Sequence, residues 1–114
     1  MRMPLIAVIV AMVSTPAIAG ERLGLEQIAM GDLHGAEATL LAERRIYPRR
    51  PELMLNLAAV YQQTGRSAAA QDLYRQVLAR PDVSLLMPSG AARSSHAIAE
   101  RGIARLAPLT LATR

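Results

Sequence analysis

Two stretches of this chain, offset by 34 residues, place the same kinds of residue in the same order. Leu23-Gly24, Gly31, Ala36, Leu40 and Pro48 correspond to Leu57-Ala58, Gly65, Ala70, Tyr74 and Pro81, the last proline standing one residue early. An internal period of this length constrains a fold strongly. Each period is one supersecondary unit that cannot bury its apolar face alone, so units must stack. Within the second copy, Met54, Leu57, Ala58 and Tyr61 recur on one face of a helix between Pro51 and Gln63. Pro51 suits the first helical position and Gly65 the glycine just past its end. Ala69, Ala70, Leu73, Tyr74, Val77 and Leu78 form a second helical stripe that Pro81 stops. The period is therefore two helices joined by a glycine turn.

These residues resemble a tetratricopeptide repeat. "LNLAAVYQQTGRSAAAQDLYRQVLARP" places Leu57, Ala58, Tyr61, Gly65, Ala70, Tyr74 and Pro81 on that family's small, large and proline positions. "LGLEQIAMGDLHGAEATLLAERRIYP" is similar to a second copy, with Gln27 in place of the usual tyrosine and Glu43 in place of a small residue. The resemblance implies an all-α fold, with antiparallel helix pairs stacked as a short solenoid over residues 20–82. Small residues at Gly24, Ala36, Ala58 and Ala70 allow close helix approach, and Leu40, Tyr61 and Tyr74 fill the spaces between. Three or more repeats are usually needed for stability, so two copies leave one face uncovered.

The remainder of the chain offers a cover. Val83 to Met87 reads as a short extended run, and Pro88-Ser89-Gly90 as a turn. Residues 83–93 are a linker. Ser94 or Ser95 then resembles an N-cap, and Ile98, Ala99, Gly102, Ile103 and Leu106 form a helical stripe. Residues 94–114 are expected to be a capping helix packed on the helix of Leu73 to Leu78, followed by a loosely held tail from Leu109. The alternative cover is a second copy of the chain, a homodimer.

The first twenty residues, "MRMPLIAVIVAMVSTPAIAG", have the layout of a secretory signal peptide. Arg2 is the positive end, Leu5 to Val13 the apolar run, and Ala17-Ile18-Ala19 the small-residue cleavage site. A membrane-spanning helix needs about 20 apolar residues, and this run stops earlier, at Ser14, Thr15 and Pro16. Cleavage after Ala19 predicts a periplasmic or secreted protein, not an integral membrane protein. Beyond Arg2 the chain holds twelve arginines, no lysine and nine carboxylates, and it has no cysteine. Export turns the basic balance away from nucleic acid and toward anionic envelope polymers, lipid head groups or acidic proteins. A domain of this size buries only about 60–65% of its unfolded surface, so its stability rests on packing alone.

Three clusters raise the question of chemistry. Asp32, His34 and Glu37 lie together in "GDLHGAEATL", but three or four convergent ligands are needed for zinc. The counterpart "GRSAAAQDLY" has Arg66, Ala68 and Gln71 at those positions, so the turn forms without the ligand set. Asp32 is read as a cap and Glu37 as a first-turn carboxylate favoured by the helix dipole. Ser94-Ser95-His96 puts a serine beside a histidine, yet adjacent helical residues do not face one another, and a triad needs an orienting third group. No phosphate loop or paired-carboxylate motif appears. The expectation is a non-enzyme without cofactor or metal.

Two surfaces are candidates for binding a protein or peptide. In tetratricopeptide-like proteins the first helices of each pair line a groove. By register its residues here are Glu21, Leu25, Ile28, Glu52, Leu55, Asn56, Ala59, Gln62 and Gln63. Some members hold a peptide's C-terminal carboxylate with basic residues and asparagines. Asn56 matches one such position, but Glu21 and Leu25 replace a lysine and an asparagine, so that clamp is not expected. The other surface is Arg44, Arg45, Arg49 and Arg50 around Tyr47, a solvated charge run or a docking patch for an anionic envelope polymer. The leading expectation is an adaptor or scaffold module in the cell envelope. Binding through the arginine patch is the alternative.

Overall fold

The computed structural model describes residues 24–87 and 89–112, with side chains to Leu106. The signal-peptide reading of residues 1–19, and Glu21, lie outside the described residues. Among those described, the chain is mostly helical, with one short hairpin. Residues 24–29 form α1, followed by α2 (Leu33–Ile46), α3 (Pro51–Gln63), α4 (Ser67–Leu78), β1 (Ser84–Leu86), β2 (Ala92–Ser94) and α5 (Ser95–Ala112).

The two glycine turns have the same backbone geometry. Gly31 has φ 82° and Gly65 φ 81°, a left-handed conformation in which a side chain would be strained. After α1, Gly31 N–H donates to Ile28 O at 3.0 Å and Asp32 N–H to Gln27 O at 2.8 Å. After α3, Gly65 N–H donates to Gln62 O at 3.3 Å and Arg66 N–H to Tyr61 O at 2.8 Å. Each is a complete Schellman motif, which satisfies carbonyls the helix end leaves open. The 34-residue offset is thus repeated in hydrogen bonds as well as in residue types.

Capping differs between the copies. Asp32 accepts from Gly35 N–H at 3.0 Å and caps α2. Arg66, its counterpart, makes no side-chain cap to α4. Its guanidinium instead bonds Thr64 Oγ1 and both oxygens of Glu37, at 3.1 and 2.5 Å, tying the second turn to α2. The guanidinium also lies 4.5 Å from the Tyr61 ring centroid.

The central helix is α3. It buries Leu53, Met54, Leu55, Leu57, Ala58 and Val60, more than the single face of Met54, Leu57, Ala58 and Tyr61 read from its periodicity. The reason is that α2, α4 and α5 all pack against it. From α2 come Ala36 and Leu40, and from α4 Ala70, Leu73, Tyr74 and Val77. Close approach follows the small residues: a methyl at Gly24 would sit 3.0 Å from Leu40 Cδ2. The first pair is less well satisfied. Gln27 Oε1 and Glu43 Oε1 are buried without a hydrogen-bond partner among the described residues. They occupy the positions that Tyr61 and Val77 fill in the second pair, so each leaves an acceptor desolvated where the other copy packs a ring or an aliphatic chain.

The extended run after Pro81 has a partner. β1 pairs antiparallel with β2 in the register Ser84 to Ser94, Leu85 to Arg93 and Leu86 to Ala92. Gly90, with φ 94°, makes the turn possible. Alternation along β1 sends Leu85 into the core and leaves Leu86 80% exposed. Ala99 and Leu106 of α5 are buried, and Ile98 and Ile103 pack against the same cluster. α5 lies on α4, touches α3 and continues as regular helix to Ala112, past Leu109 where a loose tail was expected.

No helix among the described residues is long and apolar enough to cross a membrane.

Candidate functional site

Seven of the eight described groove residues line one cavity of about 850 Å³. Leu25 comes from α1, and Glu52, Leu55, Asn56, Ala59, Gln62 and Gln63 come from α3. These α3 positions are spaced three, one, three, three and one apart, which puts them on a single helix face. Ile28 is the exception: it packs half-buried against the core. Leu55 does both, lining the cavity while only 6% exposed.

The opposite wall was not read from the sequence. Leu85, Leu86, Met87 and Arg93 of the hairpin region line it, with Ile98, Arg101, Gly102 and Arg105 of α5. Tyr74 of α4 also lines the cavity, its hydroxyl donating to Gln62 Oε1 at 2.8 Å. That bond leaves the Gln62 amide N–H groups for another acceptor. Burial pushes the Tyr74 phenol above its ordinary pKa, and the nearby Arg105 charge pulls against that. The cavity therefore has an apolar floor, amides from α3, and cations on one side. Its volume is within the range of ligand pockets, and exposed Leu25 and Leu86 extend the apolar lining to the surface.

The arginine patch is divided. Arg44 donates to Gln76 Oε1 on α4 at 3.1 Å. Arg50 stacks on Tyr47, 4.2 Å from the ring centroid. Arg45 and Arg49 are exposed. Two of the four side chains are thus engaged within the molecule, and the other two face solvent.

Asp32, His34 and Glu37 do not converge on a common point for a metal. Asp32 caps its helix, and Glu37 pairs with Arg66, whose hydrogen bonds hold the Glu37 carboxyl below the usual range. No group of three or more metal-ligating side chains gathers among the described residues.

Ser94, Ser95 and His96 form a dense polar junction, but not a triad. Asp82 Oδ1 accepts from Ser94 Oγ at 2.6 Å, from Ser95 Oγ at 3.1 Å and from His96 N–H at 3.0 Å. Ser94 Oγ caps α5 by accepting from Ala97 N–H, and fully buried Ser95 accepts from Val83 N–H. The His96 ring points elsewhere, with Nε2 2.6 Å from Arg80 O. A carbonyl can only accept, so Nε2 carries a proton and is not the base for a serine. The junction ties the start of α5 to the segment leaving α4. Asp82 was not singled out in the sequence, although it directly follows Pro81.

Three donors hold the Asp82 carboxyl below its usual range, the Ser94 hydroxyl foremost. A depressed carboxyl contributes stability that is present above its unfolded pKa, about 3.9, and lost as pH falls through the lower folded value. The thermal midpoint is expected to drop with acidification below that point. Asp82→Asn should lower the midpoint at neutral pH and shrink the acid-side slope. Glu37, depressed in the same direction, accounts for part of the slope that remains. Thermal melts across a pH series check both.

No family model matches the chain, and no significant match was found among curated proteins or solved structures.

Proposed function

We propose that this chain is a non-catalytic adaptor of the cell envelope, exported to the periplasm, which binds a protein or peptide segment on a short tetratricopeptide-like stack. The observation that carries the reading is convergence. Positions chosen by repeat register alone fall around one cavity, which the hairpin and α5 wall on the far side. The duplicated glycine turns support the repeat reading. Small-against-large contacts also bring neighbouring helices close, Gly24 with Leu40 and Gly102 with Tyr74. In this reading α5 stands where the first helix of a third repeat would pack. An extended or helical segment would seat apolar side chains on Leu55 and Ala59 and bond its backbone to Asn56, Gln62 and Gln63.

Ala59 is the residue to change, because it is half-buried in the cavity lining and Leu55 belongs to the core. Ala59→Met fills the cavity without altering charge. Affinity capture from the protein's own envelope fraction is expected to lose its partner with Ala59→Met and keep it with Arg45→Gln plus Arg49→Gln. The reverse pattern, with capture falling steeply as salt rises, would assign binding to the arginine patch and an anionic polymer.

A further inference from the structure

We propose that the segment bound in this cavity is an acidic peptide, apolar side chains interleaved with carboxylates, and that Arg93, Arg101 and Arg105 read its charge. The inference rests on the groove-binding reading and adds the chemistry of the occupant. The three arginines come from outside the repeats, one from β2 and two from α5, and all line the cavity. Arg101 and Arg105 are four residues apart, so they project from one face of α5. All three are exposed, and none of their side chains has a hydrogen bond or ion pair with a described residue. Glu52 is the one carboxylate in the lining. Charge around the cavity is therefore unbalanced toward positive beside an apolar floor.

Charge also argues against the chain's own segments as occupants. Residues 1–20 hold no carboxylate, and a second copy brings twelve arginines beyond Arg2 against nine carboxylates. An acidic partner supplies what the cavity lacks, and guanidinium forks suit carboxylates through paired N–H donors. Acidity would set specificity and association rate, while the apolar floor holds the segment.

A random peptide library displayed on phage, selected on the immobilised protein at low salt, tests this. Selected peptides should be rich in Asp and Glu between apolar residues. Their affinity should fall at least about tenfold with the triple variant Arg93→Gln, Arg101→Gln, Arg105→Gln. The triple lysine variant should keep most of it, and circular dichroism should show an unchanged fold in both. Ala59→Met should weaken every selected peptide. Peptides without acidic bias that still depend on Ala59 would overturn the acidic proposal and leave groove binding standing. Acidic peptides indifferent to the three arginines would overturn it as well. If no peptide is selected and laurate, a small anionic amphiphile, binds instead through the same arginines, both the acidic proposal and the peptide groove fall.

Discussion

Ending the chain at Asp82 is expected to abolish cooperative thermal unfolding at low protein concentration. The truncation removes the hairpin and α5, and with them Leu85, Ala99 and Leu106 from the core and Ile98 and Ile103 from its edge. Burying a large aliphatic side chain contributes about 1.5–3 kcal/mol. Two buried leucines and two partly buried isoleucines together supply roughly 5–8 kcal/mol by that measure. A small domain has a net stability of about 5–15 kcal/mol in total. The loss therefore takes most or all of it, and the side of α4 that α5 covers, Tyr74 included, is left facing water. At high concentration two truncated chains could cover that face for each other, so the melt should become concentration-dependent. Circular dichroism melts and sedimentation of the truncated chain check this. A truncated chain that melts like the parent, as a monomer, would show that α5 is not a structural cap.

The helix pairs were legible because their signals are local. Pro51, Gly65 and Pro81 mark α3 and α4 to within a few residues, and Gly31 and Asp32 mark the entry to α2. Each acts through its own φ or its own cap, so no distant residue can overrule it. Which sides of α3 are buried was less legible. Period gives one face, but a helix packed on several neighbours is buried on more than one. The hairpin was half legible. Val83 to Met87 reads as extended, yet "ARS" has no alternation and no β-branched residue to announce β2. Its pairing is set by the Gly90 turn and by Ser95, which exchanges hydrogen bonds with Val83 across twelve residues.

The candidate site divides along the same line. Register placed the α3 wall, because residues on one helix keep fixed angular offsets whatever packs against them. It could not place Ile28, whose α1 turns that side chain to the core, nor the far wall. Arg93, Arg101 and Arg105 become neighbours of Asn56 and Gln62 only after the hairpin sets where α5 lies. The one available clue was Arg101 and Arg105 flanking the apolar stripe at four-residue spacing. Arg44 and Arg50 have partners within the molecule that their place in the sequence does not show. Charge density in sequence does not reveal a partner on another helix or an adjacent ring, here Gln76 and Tyr47.

Gly102→Ala is expected to destabilise the protein, against the usual direction for a helix interior. At an exposed site, replacing a helical glycine by alanine stabilises by about 1 kcal/mol. Gly102 is buried, and a methyl there would lie 2.6 Å from Tyr74 Cε1 and Cε2, well inside contact distance. The ring has little freedom to yield. Tyr74 is only 4% exposed, and its hydroxyl is held by Gln62. Either the ring gives up that bond, or α5 shifts away from α4 and opens the contact around Ala99 and Leu106. Overpacking of this kind costs about 1–3 kcal/mol, and Gly102→Leu should exceed it. Each kcal/mol corresponds to about 4–8 °C in a domain of this size. Because the cost arises from one contact, Tyr74→Leu should reduce the penalty of Gly102→Ala. A double-mutant cycle should return a coupling of about 0.5–3 kcal/mol. A raised midpoint for Gly102→Ala alone, or additive effects in the cycle, would contradict the packing. Gly102 and Tyr74 also line the cavity, so the single substitution should weaken the proposed peptide binding at temperatures well below its own melt, where lost folding cannot account for it.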